Sequence, residues 1–161
     1  MTGQTTVDAP LILHRETVQP AWIDYNGHMN VAYYLLVFDH ASDALAGWLG
    51  IDEAYTKRTN QSIFVVEAHV TYAREVLEGD LLRIETQMLG ADAKRLHLCH
   101  RMFHDHDGYL AATNELMLLH VDLGARRSAP MPDDVRARLD AAVAAHAGLP
   151  RPQGLSRTMG L

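Results

Sequence analysis

The sequence predicts an α+β domain in which one curved antiparallel β-sheet wraps around a long central helix. Three features of the chain carry this expectation. The run Val31–Leu49 is apolar over most of a helical circumference, the mark of a helix buried within a domain. Alternating stretches separated by turn residues fill the chain from Ser62 to Val121. A further helical run, Asp133–His146, follows the strands.

Each element has a local cause. Leu11–Val18 opens as a short β-compatible stretch that Pro20 ends. Ala21–Asn30 is a polar loop dense in functional side chains, and Asn30 suits the N-cap of the helix that follows. In that helix Leu35, Phe38, Ser42, Leu45 and Leu49 share one side, while Tyr34, Val37, Ala41, Ala44 and Trp48 fill the adjoining ones. Gly50 stands where a helix stop is needed. Ser62–Tyr72 is rich in β-branched and aromatic residues. Glu78-Gly79-Asp80 turns the chain into Leu81–Leu89, where Leu82, Ile84, Thr86 and Met88 face one way and Arg83, Glu85 and Gln87 the other. Lys94–Phe103 alternates again, Asp107-Gly108 signals a hairpin, and Tyr109–Val121 returns. Pro130 and Pro132 introduce the last helix, whose opening acids Asp133 and Asp134 suit its positive end. Residues 1–147 are expected to form one domain and residues 148–161 an extended tail.

Composition narrows the function. The 161 residues are 48% hydrophobic and 21% charged, which is ordinary globular usage. The net charge of −6 argues against nucleic acid as a partner. One cysteine, Cys99, gives no intrachain disulfide framework and points to a reducing compartment. Met1–Pro10 has neither the basic start nor the apolar core of a signal peptide. Asp39, His40, Ser42 and Asp43 interrupt the longest apolar region, so no membrane span is expected and the protein is read as cytoplasmic.

The chemistry concentrates in Trp22-Ile23-Asp24-Tyr25-Asn26-Gly27-His28-Met29-Asn30. Asp24 can act as base or nucleophile, and Asn26 and His28 can orient it or a water. Gly27 lets backbone approach a ligand. The N–H groups opening the Val31 helix favour developing negative charge, which suits attack on a carbonyl. Asp, Asn and Gly are also ordinary turn formers, and Asn30 an ordinary cap. Glu67 and His69 alternate with Ile63 and Val65, which in a regular strand puts all four on one face. Lys94-Arg95 and Arg126-Arg127 are the paired basic sites. His104-Asp105-His106-Asp107 reads as a polar hairpin end rather than a metal site, and no metal is expected. His97, His100 and His120 suit packing or interface roles. Cys99 reads as a buried small residue, although a thiol nucleophile is formally open.

The Trp22–Asn30 run, followed by Tyr34-Leu35 and Phe38-Asp39, resembles the signature of hotdog-fold acyl-CoA thioesterases of the 4-hydroxybenzoyl-CoA thioesterase type. The spacing of Asp24, Asn26 and His28 also resembles the active-site run of plant acyl-ACP thioesterases. Over nearly the whole chain, Asp92–Leu98, Asn114–Asp122 and Arg127–Pro130 are similar to betainyl-CoA thioesterases of carnitine degradation. The resemblance implies a hotdog fold, a homodimer or tetramer with sites between subunits, and hydrolysis of betainyl-CoA to glycine betaine and CoA. It implies no cofactor beyond the CoA of the acyl-CoA substrate, and neither a membrane nor a nucleic-acid partner. Asp24 then carries catalysis with Asn26 and His28, and Glu67 is a second acid acting across the dimer. Gly27, Met29, Asn30, Tyr33, Tyr34, Trp22, Phe64, Lys94 and Arg95 become substrate-binding candidates. Trp22, Tyr25, Tyr33, Tyr34, Phe64 and Tyr72 are the aromatic candidates to face a trimethylammonium group. Two alternatives are a thioesterase for another short-chain or aromatic acyl-CoA, and a non-catalytic acyl-CoA-binding hotdog protein.

Overall fold

A computed structural model describes residues 6–161. The elements run β1 (Leu11–Thr17), α1 (Val31–Leu49), α2 (Glu53–Thr59), β2 (Gln61–Tyr72), β3 (Leu81–Ala91), β4 (Arg95–His104), β5 (Leu110–Asp122), β6 (Arg127–Ser128) and α3 (Asp133–His146). The strands form one antiparallel sheet in the order β1-β3-β4-β5-β2, with the short β6 paired to β5. α1 lies on its inner face. This is the expected α+β hotdog architecture. No helix among the described residues is long and apolar enough to cross a membrane.

α1 begins and ends where the sequence places it. The Asn30 side chain accepts the Ala32 N–H at 3.0 Å, and Gly50 closes the helix at φ +82°, a conformation that a side chain would strain. The core divides along α1. Its C-terminal half, through Leu45 and Leu49, packs with Leu96, Leu98, Leu116, Leu118 and the α3 residues Val135 and Leu139. Its N-terminal half, through Tyr34, Val37, Phe38 and Ala41, packs with Met29, Val76, Leu82, Ile84 and Met102.

Four features differ from the sequence reading. α2 was not expected; Asp52 caps it by accepting the Tyr55 N–H at 3.0 Å. β6 adds a two-residue pairing after the Leu123–Arg126 turn. The tail is irregular rather than extended, and it lies on the outer face of the sheet. There the Ser156 N–H donates to Glu115, the Gln87 amide donates to the Pro150 carbonyl, and Pro152 and Met159 are buried. Most consequential is a bulge at Val66: Val65 pairs with Leu118, but Glu67 pairs with Met117. Ile63 and Val65 therefore face α1 with Leu118, whereas Glu67 and His69 face outward with Met117 and Glu115. The expectation that all four share a face is wrong, because the bulge inserts a residue into the alternation.

Candidate active site

The loop between β1 and α1 is pinned at both ends. Ile23 and Met29 form an isolated antiparallel bridge, the Asn30 N–H donates to the Trp22 carbonyl at 2.8 Å, and the Met29 N–H donates to Val76 at 3.0 Å. Within this frame the Gly27 N–H donates to the Asp24 carbonyl, and Gly27 turns at φ +84° with open space where a Cβ would sit. Met29 is fully buried, so its side chain anchors the loop in the core.

Asp24 sits at the turn with its carboxylate held by two donors. The Asn26 backbone N–H donates to Oδ1 at 2.8 Å, and the Asn30 amide donates to Oδ2 at 3.1 Å. The Asn26 N–H is the main cause that lowers the Asp24 pKa below its ordinary 3.8, with Asn30 and His28 adding to it. Asp24 is thus an ionised carboxylate at neutral pH. Asn30 uses Oδ1 to cap α1 and Nδ2 to hold Asp24, which couples the helix start to the carboxylate.

A cavity of about 500 Å³ opens on this carboxylate. Asp24, Asn26, His28, Asn30, Val31 and Tyr34 line one side, and Tyr72, Ala73, Arg74 and Glu75 from the end of β2 line the other. Tyr34 and Tyr72 meet edge to face with ring centroids 5.2 Å apart. Burial raises the pKa of both phenols, so both are neutral. His28 Nε2 lies 3.7 Å from Glu75 Oε2, and its Nδ1 is buried without a hydrogen-bond partner among the described residues. Arg74 turns aside, with its guanidinium 3.9 Å from the Tyr109 ring centroid.

The structure thus brings together Asp24, Tyr25, Asn26, His28, Met29, Asn30, Tyr34 and Tyr72 as the sequence suggested, and leaves other candidates elsewhere. Trp22 and Tyr33 stack on each other at 5.4 Å and pack against the core outside the cavity. Glu67, on the outward face of β2, does not line the cavity within one subunit. Phe64 lines a separate cavity of about 390 Å³ with Arg126, Arg127 and Ser128. Lys94 adjoins that second cavity, with Nζ 3.4 Å from the Ser128 hydroxyl. Arg95 is turned to Asp92 at 2.7 Å. Cys99 faces outward beside Glu115, and burial pushes its thiol up to about 12, which removes it as a nucleophile. Glu75 was missed, because nothing in a single Glu after a strand signals its place opposite a distant loop.

Comparisons with known proteins give the family of the chain. The family model of the thioesterase-like superfamily matches residues 18–139. The betainyl-CoA thioesterase of Pseudomonas aeruginosa is 43% identical over 94% of this chain and 95% of its own length. The L-carnitine dehydrogenase/betainyl-CoA thioesterase of Agrobacterium fabrum is 43% identical over 86% of this chain, which spans only 28% of that longer protein. Among solved structures, a Staphylococcus aureus protein in complex with CoA superposes with a TM-score of 0.86 at 25% identity, covering 98% of this chain and 99% of that one. A matched family model, a relative alike from end to end and a shared hotdog architecture place this chain in the thioesterase-like superfamily, to which it belongs.

Proposed function

We propose that this protein is an acyl-CoA thioesterase that hydrolyses betainyl-CoA to glycine betaine and CoA. The observation that carries the reaction is Asp24, ionised and fixed by two donors, at the wall of a cavity beside the start of α1. Two routes use the same geometry. Asp24 takes a proton from water as the water adds to the thioester carbonyl, or it attacks the carbonyl and the resulting anhydride is hydrolysed. In either route the C–S bond breaks and CoA leaves as the thiol. Asn30 already occupies the N–H groups of Ala32 and Tyr33, through its side chain and its carbonyl respectively. Val31 at the cavity wall is the first-turn N–H placed to receive the carbonyl oxygen.

The acyl group is read by its permanent charge. A trimethylammonium has no N–H to donate, so aromatic faces and carboxylates must recognise it. Tyr34, Tyr72 and Glu75 offer both within the Asp24 cavity. The CoA phosphates find Arg126, Arg127 and Lys94 around the second cavity, with Phe64 as an aromatic platform. A homodimer covers the exposed edge of the sheet beside the Asp24 cavity. β2 is an edge strand with Phe64, Val65 and Val66 exposed, and it suits antiparallel pairing with β2 of a second copy. Such pairing sets the Phe64 end of one strand beside the Tyr72 end of the other. One subunit's Asp24 cavity then lies beside its partner's β2, in a cytoplasmic dimer or a tetramer built from it.

The test is a thiol-release assay that compares betainyl-CoA with its neutral isostere, 3,3-dimethylbutanoyl-CoA. A loss of about 0.5 to 2 kcal/mol in transition-state binding is expected for the isostere, a drop of roughly two- to thirtyfold in kcat/KM. Equal efficiency would show that the cavity reads size alone and would move the assignment to a general short-chain thioesterase.

A further inference from the structure

Three ligating side chains meet between β1 and the middle of α1, and none of them lines the Asp24 cavity. His14 and Glu16 project from the α1-facing side of β1, paired there with Ile84 and Leu82 of the core. His40 reaches them from the middle of α1. His14 Nε2 lies 2.9 Å and His40 Nδ1 2.8 Å from the same oxygen, Glu16 Oε2. The three ligand atoms all lie within 4.8 Å of one another. The two rings meet edge to face, 5.9 Å between centroids and 73° between planes, so their nitrogens approach the carboxylate from different directions. All three residues are half-buried, which leaves one side of the cluster open to water.

We propose that His14, Glu16 and His40 form a zinc(II) site that ties β1 to α1. The donor set of two imidazoles and one carboxylate, with an open fourth position, is one that zinc accepts in tetrahedral geometry. A carboxylate only accepts hydrogen bonds, so each ring turns an N–H toward Glu16 when they bind one another directly. Zinc takes lone pairs instead. Each neutral ring then moves its proton to its other nitrogen, and no net proton is lost. Neither His14 Nδ1 nor His40 Nε2 has a hydrogen-bond partner among the described residues, so both are free to carry that proton toward water. The site lies outside the reacting cavity, and its role is structural. β1 ends at Thr17 and α1 starts at Val31, so the ion joins the two elements that bracket the Asp24 loop. This inference does not depend on which acyl group is hydrolysed.

The test uses the untagged full-length protein, stripped with a chelator and titrated with Zn²⁺ alone by calorimetry. Co²⁺ is then substituted to read the visible absorption of a four-coordinate site. One equivalent should bind tightly, the Co²⁺ bands should appear, and the melting temperature should rise with zinc. His40→Gln, on a half-exposed helix position, should weaken that equivalent by about a hundredfold and abolish both the bands and the thermal shift. Should that variant not fold, His14→Gln provides the same readout from the strand side. Absence of a tight equivalent in the native protein, or Co²⁺ bands unchanged in a folded variant, would overturn the site. In the second case the metal would be held by other histidines, such as His104 and His106 beside Asp107.

Discussion

Asn30 is asked to do two jobs with two atoms, and substitution can separate them. Its Oδ1 accepts the Ala32 N–H and caps α1, while its Nδ2 donates to Asp24. Asn30→Ala removes both contacts. The lost cap costs about 1 kcal/mol, which in a domain of this size lowers Tm by roughly 2–4 °C. The freed Asp24 carboxylate loses one of the two donors that aim it, and kcat/KM should fall by roughly ten- to a hundredfold. Asn30→Asp separates the effects. Its carboxylate still accepts the Ala32 N–H and suits the positive end of the helix, so Tm should hold. It cannot donate to Asp24, and it sets a second negative charge where a donor stood 3.1 Å away. That charge raises the Asp24 pKa, so the acid limb of the rate profile should move upward while neutral-pH activity still falls by about tenfold. The assay is thiol release from pH 4 to 8, with melting curves at one fixed protein concentration. An Asn30→Asp variant with native kcat/KM and a native pH profile would show that Asn30 is a cap and nothing more.

Three further outcomes concern Asp24 and the β2 edge. Asp24→Asn should lower turnover by about a hundredfold or more with little effect on folding. In the native enzyme the pKa of Asp24 is depressed, so its activity is present above that pKa and is lost only as pH falls through it, below the ordinary 3.8. The acid limb belonging to Asp24 is therefore absent between about pH 5 and 7, and a limb in that range that vanished in Asp24→Asn would contradict the hydrogen bonding described. Light scattering at micromolar concentration should report a dimer or larger; a fully active monomer would refute a site completed across β2.

What the sequence discloses depends on the range of the interaction. The bounds of α1 were legible because their causes are local, an Asn at the cap and a Gly at the stop. The inner faces of β3 and β4 were legible because Leu82, Ile84, Leu96 and Leu98 alternate without interruption and are all buried. The loop around Asp24 was legible because its donors, Asn26 and Asn30, lie within six residues of it. Contacts formed by folding were not. Glu75 reaches the cavity only because β2 ends opposite the loop, and the His40 contact to Glu16 spans 24 residues. α2 was missed because it is short and mostly polar, with Tyr55 its single buried side chain. The Gly, Pro and Arg content of the tail carries no period, so the sequence alone predicts an extended segment. Its order comes from the outer sheet face, where Ser156 meets Glu115 and Gly154 lies against Thr71.

The bulge at Val66 shows how much one residue decides. Before it, odd-numbered positions of β2 face α1: Ile63 opposite His120 and Val65 opposite Leu118. After it, even-numbered positions do: Ala68 opposite Leu116, Val70 opposite Asn114 and Tyr72 opposite Ala112. A strand without the extra residue would carry Glu67 and His69 inward, placing a carboxylate and an imidazole among Leu35, Leu36 and Leu116. It would also send Thr71 toward the cavity and Tyr72 to the outer face. The edge-to-face contact of Tyr72 with Tyr34, and with it the aromatic wall of the Asp24 cavity, therefore exists because the register slips once. The same slip keeps the inner face of β2 apolar beside α1 and gives Glu67 and His69 to the outer surface. An alternation read straight through the strand reverses every one of these assignments; with the slip, Tyr72 is the β2 residue that lines the Asp24 cavity and Glu67 stands on the outer face.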